Sequence, residues 1–422
     1  MTAPSESTAA AGARPGATER AGALAARNAV FAVFFVSGLG LASWVARIPA
    51  VRDSLRLDTA LVGVLIFGLS AGSVLGLGAA VRLLDRFGAP RAMTISISTS
   101  AIGLVLVGFG ATLLLSAPLV FAGLALVGLG MGSLDVMMNV EGAAVERTIG
   151  RTLMPLMHAC FSLGTVVGAL IGAAASALSV SVFWHLLVIA LLAVATVVVA
   201  VRSLPEAQVT PAAGPANASG GQGAPRSTWR TRLAASLSVW TDGKILLIGA
   251  IVLGMTFAEG SANDWIALAS VDGHGLSNTG GAIVFGVFVA AMTVGRVLGG
   301  PVIDRFGRVP VLRACAVVGV LGLLLFVLAT GPWMLYGGAV LWGIGASLGF
   351  PVGMSAAADD TENAAARVSA VAMIGYFAFL VGPPVLGILG QAWGILNALY
   401  LILGLMALAG LAAPAARERH RS

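Results

Sequence analysis

The sequence predicts an all-α membrane protein of twelve transmembrane helices arranged as two six-helix halves. Three observations carry this expectation: an apolar composition, twelve runs of spanning length, and a motif written once in each half. Of 422 residues, 58% are hydrophobic and 10% charged, and the mean hydropathy is +0.97. A soluble core could not absorb that much apolar surface. Runs of about 20 apolar residues cross a bilayer as helices, and they lie near 28–48, 59–81, 92–115, 118–140, 153–176, 180–201, 244–268, 280–302, 310–330, 333–355, 368–390 and 393–414. The repeated stretch is VRLLDRFGAPRAM at Val81 to Met93, which returns as GPVIDRFGRVPVL at Gly300 to Leu312, an offset of 219.

Along the chain, residues 1–26 are small, polar and interrupted by Pro and Gly, without a periodic apolar face, and are expected to form a disordered tail. The run after them is expected to be an uncleaved first span, because it is of full length and follows a long polar lead. The amino-terminal half is placed at 27–203. From Leu204 the chain turns rich in Pro, Gly, Ala and Ser, and the stretch 204–243 is expected to link the halves. Its end, with Trp229, Arg230, Arg232, Leu233, Trp240 and Lys244, suits a short helix on a membrane surface. The carboxy-terminal half follows at 244–414, with a tail at 415–422. Cys160 and Cys315 sit in apolar spans far apart, so two buried thiols are expected rather than a disulfide.

The net charge of +6 would point to nucleic acid in a soluble chain. Here position explains it: set aside Arg47, Arg52, Arg56 and the mid-span Arg296, and 20 of the 24 Lys and Arg fall on the side holding both termini and the connections after even-numbered spans. That asymmetry predicts cytoplasmic termini, contact with membrane lipids and no nucleic-acid partner.

The repeat extends beyond the motif. Phe161, Gly164 and Gly172 match Phe379, Gly382 and Gly390 at 218, and Trp44 matches Trp265 at 221. Parallel halves are how one large class of secondary transporters builds a midplane site with alternating access. On these residues the chain resembles the major facilitator superfamily, whose signature between helices two and three is G-x-x-x-D-R-x-G-R/K-R/K. Gly300, Asp304, Arg305, Gly307 and Arg308 match it; Asp85, Arg86 and Gly88 match with Val81 in place of the first glycine and Arg91 displaced. Gly88 and Gly307 permit a tight reversal. Asp85 and Asp304 can face the positive end of a helix in the other half, so each copy is expected to act as a latch. Rows of glycine, Gly68, Gly72 and Gly76 in span two and Gly164, Gly168 and Gly172 in span five, allow close backbone approach, either across the halves or within one.

An ionisable group inside a span costs at least about 2.5–3.5 kcal/mol at the centre by insertion scales, so each is a functional candidate. Span four places Gly128, Met131, Asp135, Met138 and Asn139 on one face, with Asp135 about 10 Å inside its cytoplasmic end at 1.5 Å per residue. Span seven has Glu259 and Asn263 on one face and Asp264 turned partly away; Arg296 lies mid-span in eight and His158 early in five. Gly128, Leu129, Gly130, Asp135 and Asn139 resemble the fucose–proton symporter branch, although the acid of that branch on helix one is missing near Val45. The MNVEGAAVER and FAEGSANDW stretches resemble a bacterial subgroup of inner-membrane facilitators, which implies a bacterial plasma-membrane location.

The resemblance implies a monomeric secondary transporter for a small organic solute, sugar-like or otherwise neutral, without cofactor or metal. Asp135 is expected to carry the coupling proton, with Asn139, Met138, His158, Glu259, Asn263, Trp44, Trp265 and Trp342 around the substrate. Arg47 is expected to pair with Asp264, or with Glu259 within a turn of it, as an outer gate. Arg296 is grouped with the gating residues. Proton antiport is the alternative, although span five lacks the G-P pair of antiporters and Gly382-Pro383-Pro384 sits in span eleven instead. Four histidines with no HExxH and no GxSxG argue against an enzyme, and a membrane sensor would usually add a soluble domain.

Overall fold

Backbone amides that enter hydrocarbon must be satisfied within their own segment or a closed barrel. The computed structural model describes residues 17–150, 153–204, 241–357, 359 and 364–417, and among these there are helices and turns but no strand. The first body comprises α1 (Ala17–Val45), α2 (Ile48–Leu55), α3 (Thr59–Thr112), α4 (Ala117–Ile149), α5 (Met154–Ala177) and α6 (Val182–Ala200). The second comprises α7 (Gly243–His274), α8 (Asn278–Phe306), α9 (Arg308–Val327), α10 (Pro332–Ala346), α11 (Gly349–Ala357), α12 (Ala364–Trp393), α13 (Ile395–Ala398) and α14 (Tyr400–Ala412). Among the described residues, 11 helices are long and apolar enough to cross a membrane.

The α3 segment holds 54 residues, about 81 Å at 1.5 Å per residue, far beyond a hydrocarbon core of about 30 Å. It does not run straight. Gly88 has φ 71° and ψ 163°, and both arms return to α4, Gly72 against Ala125 and Gly103 against Gly123 and Val127. In the second body Gly307 has φ 82° and ψ 162° between α8 and α9. The two DRFG copies therefore make one and the same turn, in a region of backbone space open essentially to glycine alone.

Several expectations change. The first helix begins at Ala17, inside the stretch read as a disordered tail, because ATERAGALAAR is rich in strong helix formers. Span ten is broken at Ser347 and Leu348 into α10 and α11, and span twelve starts after Gly394 (φ 86°) as the short α13 followed by α14. Both glycine rows serve packing inside the first body: Gly72 and Gly76 lie on Ala125 and Leu129 of α4, and Gly164 and Gly168 on Phe35 and Leu39 of α1. Cys160 and Cys315 are free thiols. The surface helix expected near Trp229 lies outside the described residues.

The two bodies meet along α3 with α12 and α5 with α8. Small residues make this approach possible: Ala46, Ala173 and Ala282 cluster where α5 meets α8, and Gly63 of α3 lies against the backbone of Pro383, Pro384 and Gly387 of α12.

Alanine at Gly307 must adopt a conformation that costs about 1–3 kcal/mol, so Gly307→Ala should lower the melting temperature of the purified protein in detergent. Gly300→Ala, whose added Cβ meets nothing within 4 Å, should leave it unchanged or slightly raised, and the reverse order would show that the turn is not strained by a side chain.

Candidate functional site

A cavity lies between the two bodies, walled by Leu41, Ala42 and Val45 of α1, Phe161, Ser162 and Thr165 of α5, Glu259 and Asn263 of α7, and Phe285, Val289, Met292 and Arg296 of α8. Each lining set follows helical spacing, Leu41 to Val45, Phe161 to Thr165 and Val289 to Arg296, so one face of each helix is turned to the centre. Polar groups gather on the α5, α7 and α8 sides. Arg296 Nη2 donates to Glu259 Oε1 at 2.6 Å, and its Nε donates to the carbonyl of Ser347 at 3.3 Å. That carbonyl lies where span ten breaks. The pair is partly desolvated, with the Glu259 side chain 14% exposed and Arg296 31%. Sequence reasoning assigned Arg296 to gating; the structure sets it beside Glu259 and Asn263 instead.

Other expected site residues part company. Trp44, Trp265 and Trp342 are sealed in the core, with Trp342 stacked edge-on to Phe288 at 5.5 Å, and none lines the cavity. A wide apolar ring gains most from complete burial. Met138 is buried in the core of the first body. Asp135 is exposed, is within electrostatic reach of Tyr376 of α12, and accepts from Asn139 Nδ2 at 3.3 Å. His158 is exposed, stacks edge-on to Phe34 at 5.1 Å, and is within electrostatic reach of Arg296 in the other body. Neither residue lines the cavity.

The expected Arg47–Asp264 gate does not form. Arg47 is 4% exposed and turns toward α6, donating Nη2 to the Val180 carbonyl at 2.6 Å. Asp264 turns toward α12. A different pair closes the same end. Arg52 of α2 makes a bidentate contact with Asp272 of α7, 2.7 Å to Oδ2 and 2.5 Å to Oδ1. Asn278 Nδ2 donates to Asp53 at 3.0 Å, and the Thr59 amide donates to Gln391 at 3.0 Å. All three contacts join one body to the other at the arginine-poor end.

Sequence reasoning missed this gate although it left a trace. Arg52 and Asp272 are 220 apart, one short of the offset relating Trp44 to Trp265, so opposite charges stand at equivalent places in the repeat. At the arginine-rich end Asp85 and Asp304 are exposed and pair with none of the described residues. Arg86 and Arg305 are exposed as well. Arg308 instead reaches Asp359 at 2.7 Å and Ser355 at 2.9 Å, inside the second body. Among the described residues, neither DRFG aspartate makes a contact across the junction of the bodies.

Two helical bodies, tied at one end around a mixed apolar and polar cavity at their junction, define a multi-pass membrane transport protein. The chain belongs to the Major Facilitator Superfamily, whose model matches residues 29–283 and 260–422. Members are transporters, not enzymes, and bind small-molecule substrates, often with protons. An uncharacterized transporter of Sinorhizobium fredii is 30% identical over 392 residues, covering 92% of this chain and 97% of the relative. The crystal structure of the nucleoside transporter NupG superposes with a TM-score of 0.71 at 15% identity, covering 94% of this chain and 98% of that one. That of the E. coli fucose:proton symporter gives 0.62 at 15%, covering 93% and 98%.

Removing one partner of the Glu259–Arg296 pair strands the other charge beside the cavity. Arg296→Gln alone should destabilise the protein by on the order of 1–3 kcal/mol, read as a lower melting temperature. Glu259→Gln with Arg296→Gln should recover part of the loss. A double variant no more stable than the worse single would mean that the pair is not coupled.

Proposed function

We propose that the chain is a secondary active transporter of twelve spans in two six-helix halves, carrying a small uncharged organic solute together with protons. The hairpin of α3 counts as two spans, which raises the 11 long helices to twelve. The observation that carries the substrate reading is the Glu259–Arg296 pair. Its charges cancel, so the cavity asks for no counter-charge, while its remaining lone pairs and N–H groups, with Asn263, Ser162 and Thr165, offer a hydrogen-bonding edge. Phe161, Phe285, Val289 and Met292 offer an apolar surface. A sugar or nucleoside, with hydroxyls on its edges and an apolar face, fits both. The nucleoside and fucose transporters among the structural neighbours support that class.

The arginine-poor end is assigned to the outside by the charge bias, so this conformation is closed outward. Asp135, exposed within span four, takes the role of a proton acceptor open to the cytoplasm, and the cavity loads from the outside once the Arg52–Asp272 gate parts.

Thermal stabilisation of the purified protein by a panel of sugars, nucleosides and organic anions should select neutral polyhydroxylated compounds. A selected compound should then accumulate in proteoliposomes only under an imposed proton gradient. Stabilisation by anions alone would overturn the substrate class, and accumulation indifferent to the gradient would overturn the coupling. Asp135→Asn should keep exchange and lose accumulation.

Loss of the Arg52–Asp272 contact should bias the protein toward the outward-open form by about 1–3 kcal/mol. With Cys160 and Cys315 replaced by serine, a cysteine at Ala42 should react faster with an impermeant maleimide added outside when Arg52→Ala is present. The reversal Arg52→Asp with Asp272→Arg should slow it again. Equal labelling in all three would remove this contact from gating.

A further inference from the structure

Asp264 is a carboxylic acid to which the arrangement above gives no work. It lies on α7 eight residues before Asp272, about 12 Å inward from the gate at 1.5 Å per residue. It borders a crevice between α7 and α12 whose other walls are Phe257, Gly260, Ser261, Ala378, Phe379, Gly382 and Pro383. Ser261 carries the one hydroxyl among these walls, and it donates to the Phe257 carbonyl at 2.5 Å. Asp264 makes no hydrogen bond or ion pair with any described residue.

No cation on the surrounding helices reaches it. Arg296 of α8 is held by Glu259, Arg52 of α2 by Asp272 and Asp53, and Arg47 by Val180. Arg367 at the far end of α12 pairs with Asp242. Tyr376 of α12, Tyr336 of α10, Tyr400 of α14 and His274 at the end of α7 are all absent from the crevice walls. A carboxylate with no cation or donor beside it and an apolar lining around it is costly in its charged form.

One wall of the crevice also belongs to the contact between the bodies. Pro383 lines it on one side, and on the other its carbonyl lies so close to Gly63 of α3 that a Cβ there would come within 2.7 Å. Any motion that parts α3 from α12 at the outer end therefore acts on a wall of the crevice that Asp264 borders.

We propose that Asp264 is a second protonation site, neutral while the outer end is closed and ionised when that end opens. The proposal rests on the alternating-access reading above. It makes Asp264 a proton carrier on the outer side, distinct from Asp135 of α4: an aspartic acid O–H bond breaks on hydration and the proton leaves to the outside water, and the same site regains it before closure.

Infrared difference spectroscopy of the full chain in nanodiscs at neutral pH tests this without a substrate. The wild-type minus Asp264→Asn spectrum should contain a protonated-carboxyl C=O stretch, and Asp264→Glu should shift that band, which keeps the test usable if the asparagine variant folds poorly. In Arg52→Ala the band should weaken at neutral pH and return on acidification. Absence of the band in the closed protein, or its persistence in an Arg52→Ala variant that the Ala42 cysteine assay shows to be open, overturns the proposal. If Arg52→Ala is not open by that assay, alternating access at this gate is what fails, and the closed-state band still decides whether Asp264 is neutral.

Discussion

A charge inside a membrane must be paired, hydrated or neutralised, and the way this chain meets that demand organises the rest of the molecule. Arg296 is held by Glu259 and by a carbonyl freed where span ten breaks. Arg47 gives Nη2 to the carbonyl of Val180 at the turn before α6, while its Nε and Nη1 stay buried without a partner among the described residues. Arg52 finds its carboxylate across the junction of the bodies. Each arginine thereby fixes a place where helices cannot slide freely, and the cavity lies between two such places.

Those anchors are set against contacts that resist little. The bodies touch through glycine and alanine: Gly63 on the proline pair of α12, and Ala173 of α5 near Ala282 of α8. Small side chains give backbone proximity without interdigitation, so one body can rock on the other with few rotamers to rearrange. Polar ties then decide which end is shut, because they are directional and the small-residue contacts are not.

Much of this was legible in the sequence, and what was not has a physical reason. Span positions follow from hydropathy, and the paired Gly88 and Gly307 turns follow from the duplicated motif, since both are local properties. The membership of Glu259 and Asn263 in one cavity follows from helical spacing. The choice among neighbours is not local: Trp44, Trp265 and Met138 are expected around the substrate but are drawn into the core, and Arg47 had two helices to turn toward. The break at Ser347 had its own trace, since Pro351 four residues on has no N–H to offer the Ser347 carbonyl and leaves it to Arg296. The outer gate could have been found by asking which repeat-related positions carry opposite charge.

Positions related by the internal repeat and close to its axis meet their own counterparts, as Arg52 and Asp272 do. A symmetric homodimer of identical six-helix chains would bring like against like at that spot, two arginines or two aspartates, and would be pushed apart there. Fusion into one polypeptide removes the requirement that the two positions be the same residue, so an attractive lock on the axis is available only to a chain whose halves are free to differ.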